Sequence, residues 1–376
     1  MAEPLKNRYG LEVAEMLAQQ LTASWPEFDR EGFMTAVSDG YDALELMDRG
    51  RHLGHWLGKF LPADYPQAVE ILLASLGQPL SIDRSFSMSA FYYLPHTCFV
   101  AEYGLDHFEQ SMRAQYELTQ RFTAEFSIRP FLERYPQQTL ELLHQWSADA
   151  NHHVRRLVSE GTRPRLPWGK RLYQFIDDPA PVVELLQRLK DDPELYVRRS
   201  VANNLNDIGK DHPELLVDIC RDWWRDGSED RRWLVRHALR SAIKRCDPQA
   251  LALLGYGAAA DELEIIANLD KQRVQLGDSI EIQAQCRLPA GASESQSDLQ
   301  LMIDFRVWFL KANGKQAARV FKLKKLTISP GEQLQLSKRL ALVPMTTRKL
   351  YAGEHRVELV VNGTTYPVGS FDLSVT

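Results

Sequence analysis

The chain has 376 residues, of which 44% are hydrophobic and 25% charged, as in ordinary globular proteins of two or three domains. The first residues lack the layout of a signal peptide, and no stretch approaches the roughly 18 apolar residues that a membrane span requires. We therefore expect a soluble, intracellular protein with no membrane partner.

The net charge of −5 is distributed unevenly, at −10 over residues 1–150, +3 over 151–250 and +2 over 251–376. Because the local charge matters more than the total, an acidic chain does not exclude a nucleic acid partner. The four cysteines lie far apart in the sequence, and the ten histidines form no HExxH motif. We expect no disulfide framework and no metal site.

A repeated triplet, Val-Arg followed by Arg or His, marks the middle of the chain. Its three copies begin at Val154, Val197 and Val235, separated by 43 and then 38 residues. This spacing is typical of HEAT-like repeats, in which each unit of about 40 to 47 residues is a pair of helices. Each triplet is predicted to open the second helix of its pair.

Prolines mark the predicted starts of further helices, because proline is favoured in the first helical turn. No alternating strand pattern stands out between residues 11 and 255. We therefore predict a first domain, residues 1–258, that is an all-α HEAT-like repeat solenoid. The prolines are Pro66, Pro136, Pro179, Pro193, Pro213 and Pro248.

After about residue 262 the hydrophobic pattern changes to a period of two, which indicates half-buried strands. The apolar residues alternate from Ile280 to Leu288 and again from Ile303 to Phe309, and Asn313-Gly314 and Asn362-Gly363 are typical of hairpin turns. About seven short strands predict a second, all-β domain over residues 259–376, an immunoglobulin-like β-sandwich. The predicted fold class is therefore multidomain, with an all-α HEAT-like repeat solenoid followed by an all-β immunoglobulin-like sandwich.

Three acidic residues are predicted to lie at helix ends, which stacked repeats align on one face. Glu160 comes directly before Gly161, Asp207 lies two residues before Gly209, and Glu125 lies near the end of a helical run that Pro130 stops. In the last helical turn a cation, rather than a carboxylate, would be favoured by about 0.3 to 1 kcal/mol. Converging acids would form an electronegative pocket for a cationic ligand or a cationic transition state.

Basic, amide and aromatic side chains surround these acids in the sequence, and phosphate binding would explain the basic ones. Arg199, Asn203 and Asp207 follow one another at i, i+4 and i+8, which predicts one polar stripe along a helix. The candidate ligand-binding residues are Arg156, Arg163, Arg165, Trp168, Lys170, Arg199, Asn203, Asn204, Lys210, Arg232, Arg236 and Arg240.

Structural roles explain several of these residues equally well. Arg156 and Glu160 are spaced as an i, i+4 surface ion pair, worth about 0.3 to 0.5 kcal/mol. Trp168 can pack between repeats, the arginines can form salt bridges between repeats, and Asn203 and Asn204 can cap backbone groups. On spacing alone, both kinds of role stay open.

The segment Ser200-Val-Ala-Asn-Asn-Leu-Asn-Asp207-Ile-Gly-Lys210, preceded by Val197-Arg-Arg199, resembles the AlkC type of alkylpurine DNA glycosylase. Residues 151–161 and 163–168 support the resemblance, which extends over nearly the whole chain. It implies excision of cationic N3-alkylated bases from double-stranded DNA, chiefly 3-methyladenine with 3-methylcytosine as a second candidate. It also implies that no metal or organic cofactor is needed, and it favours a monomer in the bacterial cytosol or nucleoid.

The resemblance assigns the leading catalytic role to Asp207, which would stabilise a cationic sugar and orient water, with Glu160 as its partner and Glu125 as a weaker third. Trp168 would stack on the deoxyribose or the lesion, and the basic residues would hold the DNA backbone. The sequence departs from the related AlkD type in having Asn203, rather than Trp, four residues before Asp207. A noncatalytic helical-repeat scaffold and a DNA-damage-binding protein are the alternatives, and neither would release a base.

Overall fold

The computed structural model describes residues 4–79, 88–257, 263–290, 298–344 and 349–375. The chain forms two compact units, Met1–Leu216 with Asp226–Ala238, and Val217–Arg225 with Leu239–Thr376. The predicted domain boundary at residues 258/259 lies outside the described residues, and the division into domains 1–258 and 259–376 stays a prediction. No helix in the described ranges is both long enough and apolar enough to cross a bilayer.

The N-terminal part is helical, as predicted, and no strand occurs among the described residues from 11 to 255. Pro66, Pro136, Pro213 and Pro248 lie in the first turns of helices, as expected, whereas Pro193 precedes its helix by two residues. The α-helices are α1 Leu11–Ser24, α2 Arg30–Ser38, α3 Leu46–Phe60, α4 Tyr65–Ala74, α5 Leu94–Tyr103, α6 Phe108–Thr119, α7 Arg129–Arg134, α8 Pro136–Trp146, α9 His152–Gly161, α10 Tyr173–Asp177, α11 Ala180–Leu189, α12 Leu195–Ile208, α13 Pro213–Arg225, α14 Glu229–Ala238, α15 Arg240–Lys244 and α16 Pro248–Leu253.

The three repeat triplets lie on helices that stack in succession, since α9 contacts α12 and α12 contacts α14. Val154 and Val197 are each the third residue of their helix, as predicted. Val235 is instead the seventh residue of α14, so the prediction that each triplet opens a helix is wrong for the third copy. One extra helical turn precedes that triplet, but all three valines are fully buried where the helices stack.

Helix α12 is enclosed by its neighbours, because α9, α11 and α14 all contact it. Val201 and Leu205 are fully buried. Ten of the 14 residues of α12 are buried, among them the polar Ser200, Asn204 and Asp207. The packing therefore encloses polar groups at the C-terminal half of this helix, where they need partners within the protein.

The second unit contains two β-sheets, which confirms the predicted β-sandwich. One sheet has three antiparallel strands in the order β1-β3-β6, and the other has five in the order β2-β8-β7-β4-β5, with β2 parallel to β8. The strands are β1 Glu264–Leu269, β2 Arg273–Gln275, β3 Ser279–Arg287, β4 Leu299–Leu310, β5 Gln316–Ile328, β6 Gln333–Ala341, β7 Gly353–Val361 and β8 Thr364–Ser374.

The sandwich core follows from the alternating pattern of the sequence. Ile282 of β3 packs in one apolar cluster with Phe305 of β4 and Val357 of β7, so side chains of both sheets meet between them. The predicted turn at Asn362-Gly363 joins β7 to β8 with positive φ angles of 46° and 90°, as a two-residue hairpin requires. The alternating strand pattern and the turn residues therefore predict the same pairing register between β7 and β8.

Candidate active site

Glu160 and Asp207 lie together at the C-terminal ends of stacked helices. Each is the next-to-last residue of its helix, α9 or α12. Both carboxylates bind Arg163, whose Nη1 donates to Glu160 Oε1 at 2.6 Å and whose Nε donates to Asp207 Oδ2 at 2.8 Å. Because one guanidinium group bridges the two acids, the structure brings them to a single place.

Glu125 joins this group through Arg156, but it does not lie at a helix end. Helix α6 already ends at Thr119, and Pro130 lies in the first turn of α7, so the predicted helical run through Glu125 is wrong. Proline starts a helix here because its missing N–H costs nothing in the first turn. Arg156 Nη1 donates to Glu125 Oε2, and Nη2 lies 3.5 Å from Glu160 Oε1.

The i, i+4 pair of Arg156 and Glu160 therefore forms, but it is not the surface pair that its spacing suggested. Only 15% of the Arg156 side chain and 8% of the Glu160 side chain are exposed. Arg156 is shared between two carboxylates, and its guanidinium also lies over the ring of Tyr196, 5.4 Å from the ring centroid. The pair is one link in a larger buried network.

Acidic and basic side chains alternate along this network, so that three negative charges face three positive ones. Each carboxylate has a cationic partner, and the structure therefore shows a balanced cluster instead of the electronegative pocket that the helix ends predicted. Pairing of this kind is what makes buried charge tolerable. In order, the network comprises Glu125, Arg156, Glu160, Arg163, Asp207 and Lys210, with Lys210 Nζ 2.7 Å from Asp207 Oδ1.

Glu160 is held in its ionised form. Burial raises the pKa of its carboxyl group, but the guanidinium groups of Arg156 and Arg163 outweigh burial, and the pKa lies below its usual value. The Ser200 hydroxyl also donates to Glu160 Oε2 at 2.5 Å. An ionised carboxylate at neutral pH is suited to stabilising positive charge rather than to donating a proton.

Trp168 projects from the loop that follows α9, with 67% of the residue exposed, which argues against a packing role between repeats. Its backbone is left-handed, with φ 64°, a costly conformation for a bulky residue and one that is concentrated at functional sites. Flanking salt bridges hold the loop. Arg165 binds Asp211 through Nε and Nη2 at 2.7 and 2.6 Å, and Lys170 Nζ lies 2.8 Å from a carboxylate oxygen of Glu133.

The two adjacent asparagines of α12 have different surroundings. Asn204 is fully buried, and its Nδ2 donates to the Ser159 carbonyl at 2.8 Å and to Thr162 Oγ1 at 3.2 Å. Asn203 is half-buried, and its Oδ1 lies 3.2 Å from His237 Nε2. The geometry of Asn204 favours the backbone-satisfying role that the sequence left open, and a DNA contact would require this side chain to move.

The remaining basic candidates are spread over several elements. Arg199 is exposed on α12, and Lys210 follows that helix and joins the network. Arg232 and Arg236 lie on α14, whereas Arg240 begins α15 and belongs to the second unit. The structure thus unites Arg156, Arg163 and Lys210 with the acids, and DNA binding by the other basic residues stays a prediction.

Sequence reasoning missed Ser200, Tyr196 and Arg129 as residues that shape the site. Ser200 lies seven residues before Asp207, which is two helical turns on the same face, so helical periodicity could have identified it. Tyr196 and Arg129 act through contacts between distant segments, and no spacing in the sequence signals them.

Comparison with known proteins gives a consistent assignment. Residues 119–249 match the family described as DNA alkylation repair enzyme, and residues 266–375 match the C-terminal Ig-like domain of the uncharacterised protein YhaZ. The chain is 35% identical over 361 residues to YhaZ of Bacillus subtilis (strain 168), covering 96% of each. It resembles the structure of Pseudomonas fluorescens alkylpurine DNA glycosylase AlkC bound to DNA containing an abasic site analog, with a TM-score of 0.88 and 37% identity over 99% of this chain and 100% of that one. The chain therefore belongs to the HEAT-like repeat DNA alkylation repair family, with the AlkC-type alkylpurine DNA glycosylases.

Proposed function

We propose that this protein is a monomeric, monofunctional DNA glycosylase that releases cationic N3-alkylated bases from double-stranded DNA in the cytosol or nucleoid. The meeting of Glu160 and Asp207 at one buried guanidinium group carries the proposal. The activity named for AlkC supports it. 3-Methyladenine is the first candidate substrate and 3-methylcytosine the second.

The chemistry of such a substrate needs stabilisation of positive charge more than it needs an acid. The bond between C1′ of the deoxyribose and the base nitrogen breaks, and its electron pair stays on the base and cancels the charge that alkylation placed there. Positive charge develops on the sugar, where fixed carboxylates stabilise it. Water then adds to C1′ and loses a proton to a carboxylate or to solvent, so that water is the only co-reactant.

The balanced network suggests how the acids become available to the sugar. DNA phosphates bind guanidinium groups strongly, and they compete with Glu125 and Glu160 for Arg156. Arg156 is the more open of the two bridging arginines, with 15% of its side chain exposed against 9% for Arg163. A cationic sugar near Glu160 replaces the positive charge that Arg156 withdraws.

The test compares Asp207→Asn with Asp192→Asn, a matched change at another buried carboxylate close to α12. Asp192 accepts hydrogen bonds from Arg155 Nε and Nη2 at 2.6 and 3.0 Å, away from the acid network. We expect D207N to slow the release of 3-methyladenine from methylated duplex DNA by about 100-fold or more. D192N should keep the wild-type rate per folded molecule.

The measurement is the free base released in a single turnover, normalised to folded protein. A D207N variant with the wild-type rate would contradict the role of Asp207. A wild-type protein that binds methylated DNA and releases no base would favour the noncatalytic damage-binding alternative.

A further inference from the structure

A buried arginine outside the acid network contacts both ends of the Trp168 loop. Arg129, in the first turn of α7, is one of the largest fully buried side chains among the described residues, with 2% exposure. Its hydrogen bonds within the described part of the chain all go to backbone carbonyl groups. It differs in this from Arg156 and Arg163, which bind carboxylates.

The three carbonyl groups belong to the two ends of one loop, residues 162–170. At the start of the loop, Arg129 Nη1 donates to the carbonyl oxygens of Gly161 and Arg163, both at 2.9 Å. At its end, Nε donates to the Lys170 carbonyl at 2.8 Å, and Nη2 donates to the same oxygen. One planar group therefore joins the beginning and the end of the segment that carries Trp168.

A guanidinium group is costly to place here. Burial lowers the pKa of Arg129 to about 10, so the guanidinium remains charged at neutral pH and its desolvation is costly. An apolar residue of similar volume would avoid that cost, but it would leave the carbonyl groups of Gly161, Arg163 and Lys170 without this donor. The guanidinium supplies a set of donors rigid enough to fix two chain segments at once.

We propose that Arg129 is a positioning residue that holds the 162–170 loop in the conformation that presents Trp168 to DNA. This inference rests on the proposed function only in that DNA is the ligand. Ordering a loop during binding costs free energy, and a loop already held in place avoids that cost. Because Trp168 has a strained left-handed backbone, a released loop would relax away from this conformation.

The test is a double-mutant cycle of Arg129→Lys and Trp168→Ala, because non-additivity shows that one residue acts through the other. Lysine keeps the positive charge, but its single nitrogen cannot join both ends of the loop. We expect R129K and W168A each to weaken binding to duplex DNA with an abasic-site analogue by about 10-fold. The double variant should bind no more weakly than W168A. The cleavage rate at saturating enzyme should change less than the affinity.

The matched control is Arg198→Lys. Arg198 is also buried and also donates to backbone carbonyls, those of Asp192 and Pro193 at 2.7 and 2.8 Å, but it does so at the start of α12. We expect R198K to leave DNA affinity unchanged. Should R129K fold poorly, Arg129→Gln keeps an amide donor for one end of the loop without burying a charge, and it serves in the same cycle.

Hydrogen exchange supplies a readout that does not depend on activity. R129K or R129Q should speed exchange of the amides in residues 162–170, and R198K should not. Additive losses in the cycle, or wild-type affinity of a folded R129K, would overturn the proposal. If the wild type binds DNA without releasing a base, the proposed function fails while the cycle still decides the role of Arg129.

Discussion

The α9–α12 region and the β-sandwich differ in whether they bury charged side chains. Of the described residues from 263 to 375, the only buried polar ones are His355 and Asn362, and no charged side chain is buried there. Between α9 and α12 the chain instead buries Glu160, Arg163 and Asp207. Since buried ion pairs contribute little to stability compared with apolar packing, the sandwich has the composition that stability favours. The helical region keeps a costly polar cluster, and this difference supports the proposal that the cluster is the catalytic site.

The largest effect on stability is expected in the sandwich. Phe305 is 1% exposed and stacks on Phe321, with the ring centroids 4.9 Å apart. Phe305→Ala should lower the free energy of unfolding by about 3 to 5 kcal/mol, because it removes apolar contacts and leaves a cavity. Urea denaturation measures this. The rate of base release per folded molecule should stay near the wild-type value, and a large drop in that rate would erase the functional contrast between the two regions.

A smaller change in stability but a large one in rate is expected for Glu160→Gln. The amide can keep hydrogen bonds to Arg163 and Ser200, but it cannot stabilise a cationic sugar. Single-turnover base release should slow by on the order of 100-fold. Glu70→Gln is the control, because Glu70 pairs with the exposed Arg113 side chain, outside the network and the Trp168 loop. An E160Q variant no slower than E70Q would remove α9 from the proposed catalytic site.

The smallest expected effect concerns how the stability of the folded protein depends on pH, to which Glu160 and Asp304 contribute with opposite signs. Arg156 and Arg163 hold the pKa of Glu160 below its usual value despite burial, so its contribution to stability is present near neutral pH and is lost as pH falls through the lowered pKa. Burial raises the pKa of Asp304 in β4, so its ionised form is disfavoured, and acid relieves that penalty as pH falls through the raised pKa towards 3.8.

These two carboxylates therefore predict opposite responses to mutation. E160Q should reduce the acid-induced loss of stability, and Asp304→Asn should remove an opposing gain and make that loss steeper. Urea denaturation between pH 7 and pH 3 tests both. Changes of the same sign in the two variants would contradict the contrast.

Much of the fold could be predicted because its signals are local. The 43-residue separation of Val154 and Val197 gave the register of α9 and α12, and the alternation around Ile280 gave β3. The prediction for the third triplet was wrong because the connection before α14 is followed by one more helical turn. Val235 is therefore the seventh residue of its helix, whereas Val154 and Val197 are the third residues of theirs. Periodicity locates the buried face of an element more reliably than its first residue.

The sequence predicted that Glu160 and Asp207 meet, but it did not predict that buried basic residues balance their charge. The glycines after Glu160 and Asp207 indicated helix ends, and stacking explains why those ends meet. Arg163 could not be placed between them from the sequence, because its partner Asp207 is 44 residues away and the contact depends on how α12 packs. The burial of Asn204 was unpredictable for the same reason, since it depends on contacts with α9.

The left-handed backbone of Trp168 has a consequence for engineering. Glycine or asparagine would adopt φ 64° with less strain than a bulky aromatic residue, for which this region costs roughly 1 to 2 kcal/mol. A screen for heat resistance alone would therefore favour replacing the tryptophan and would remove the side chain that we propose contacts DNA. Thermostable variants should be sought with this position fixed.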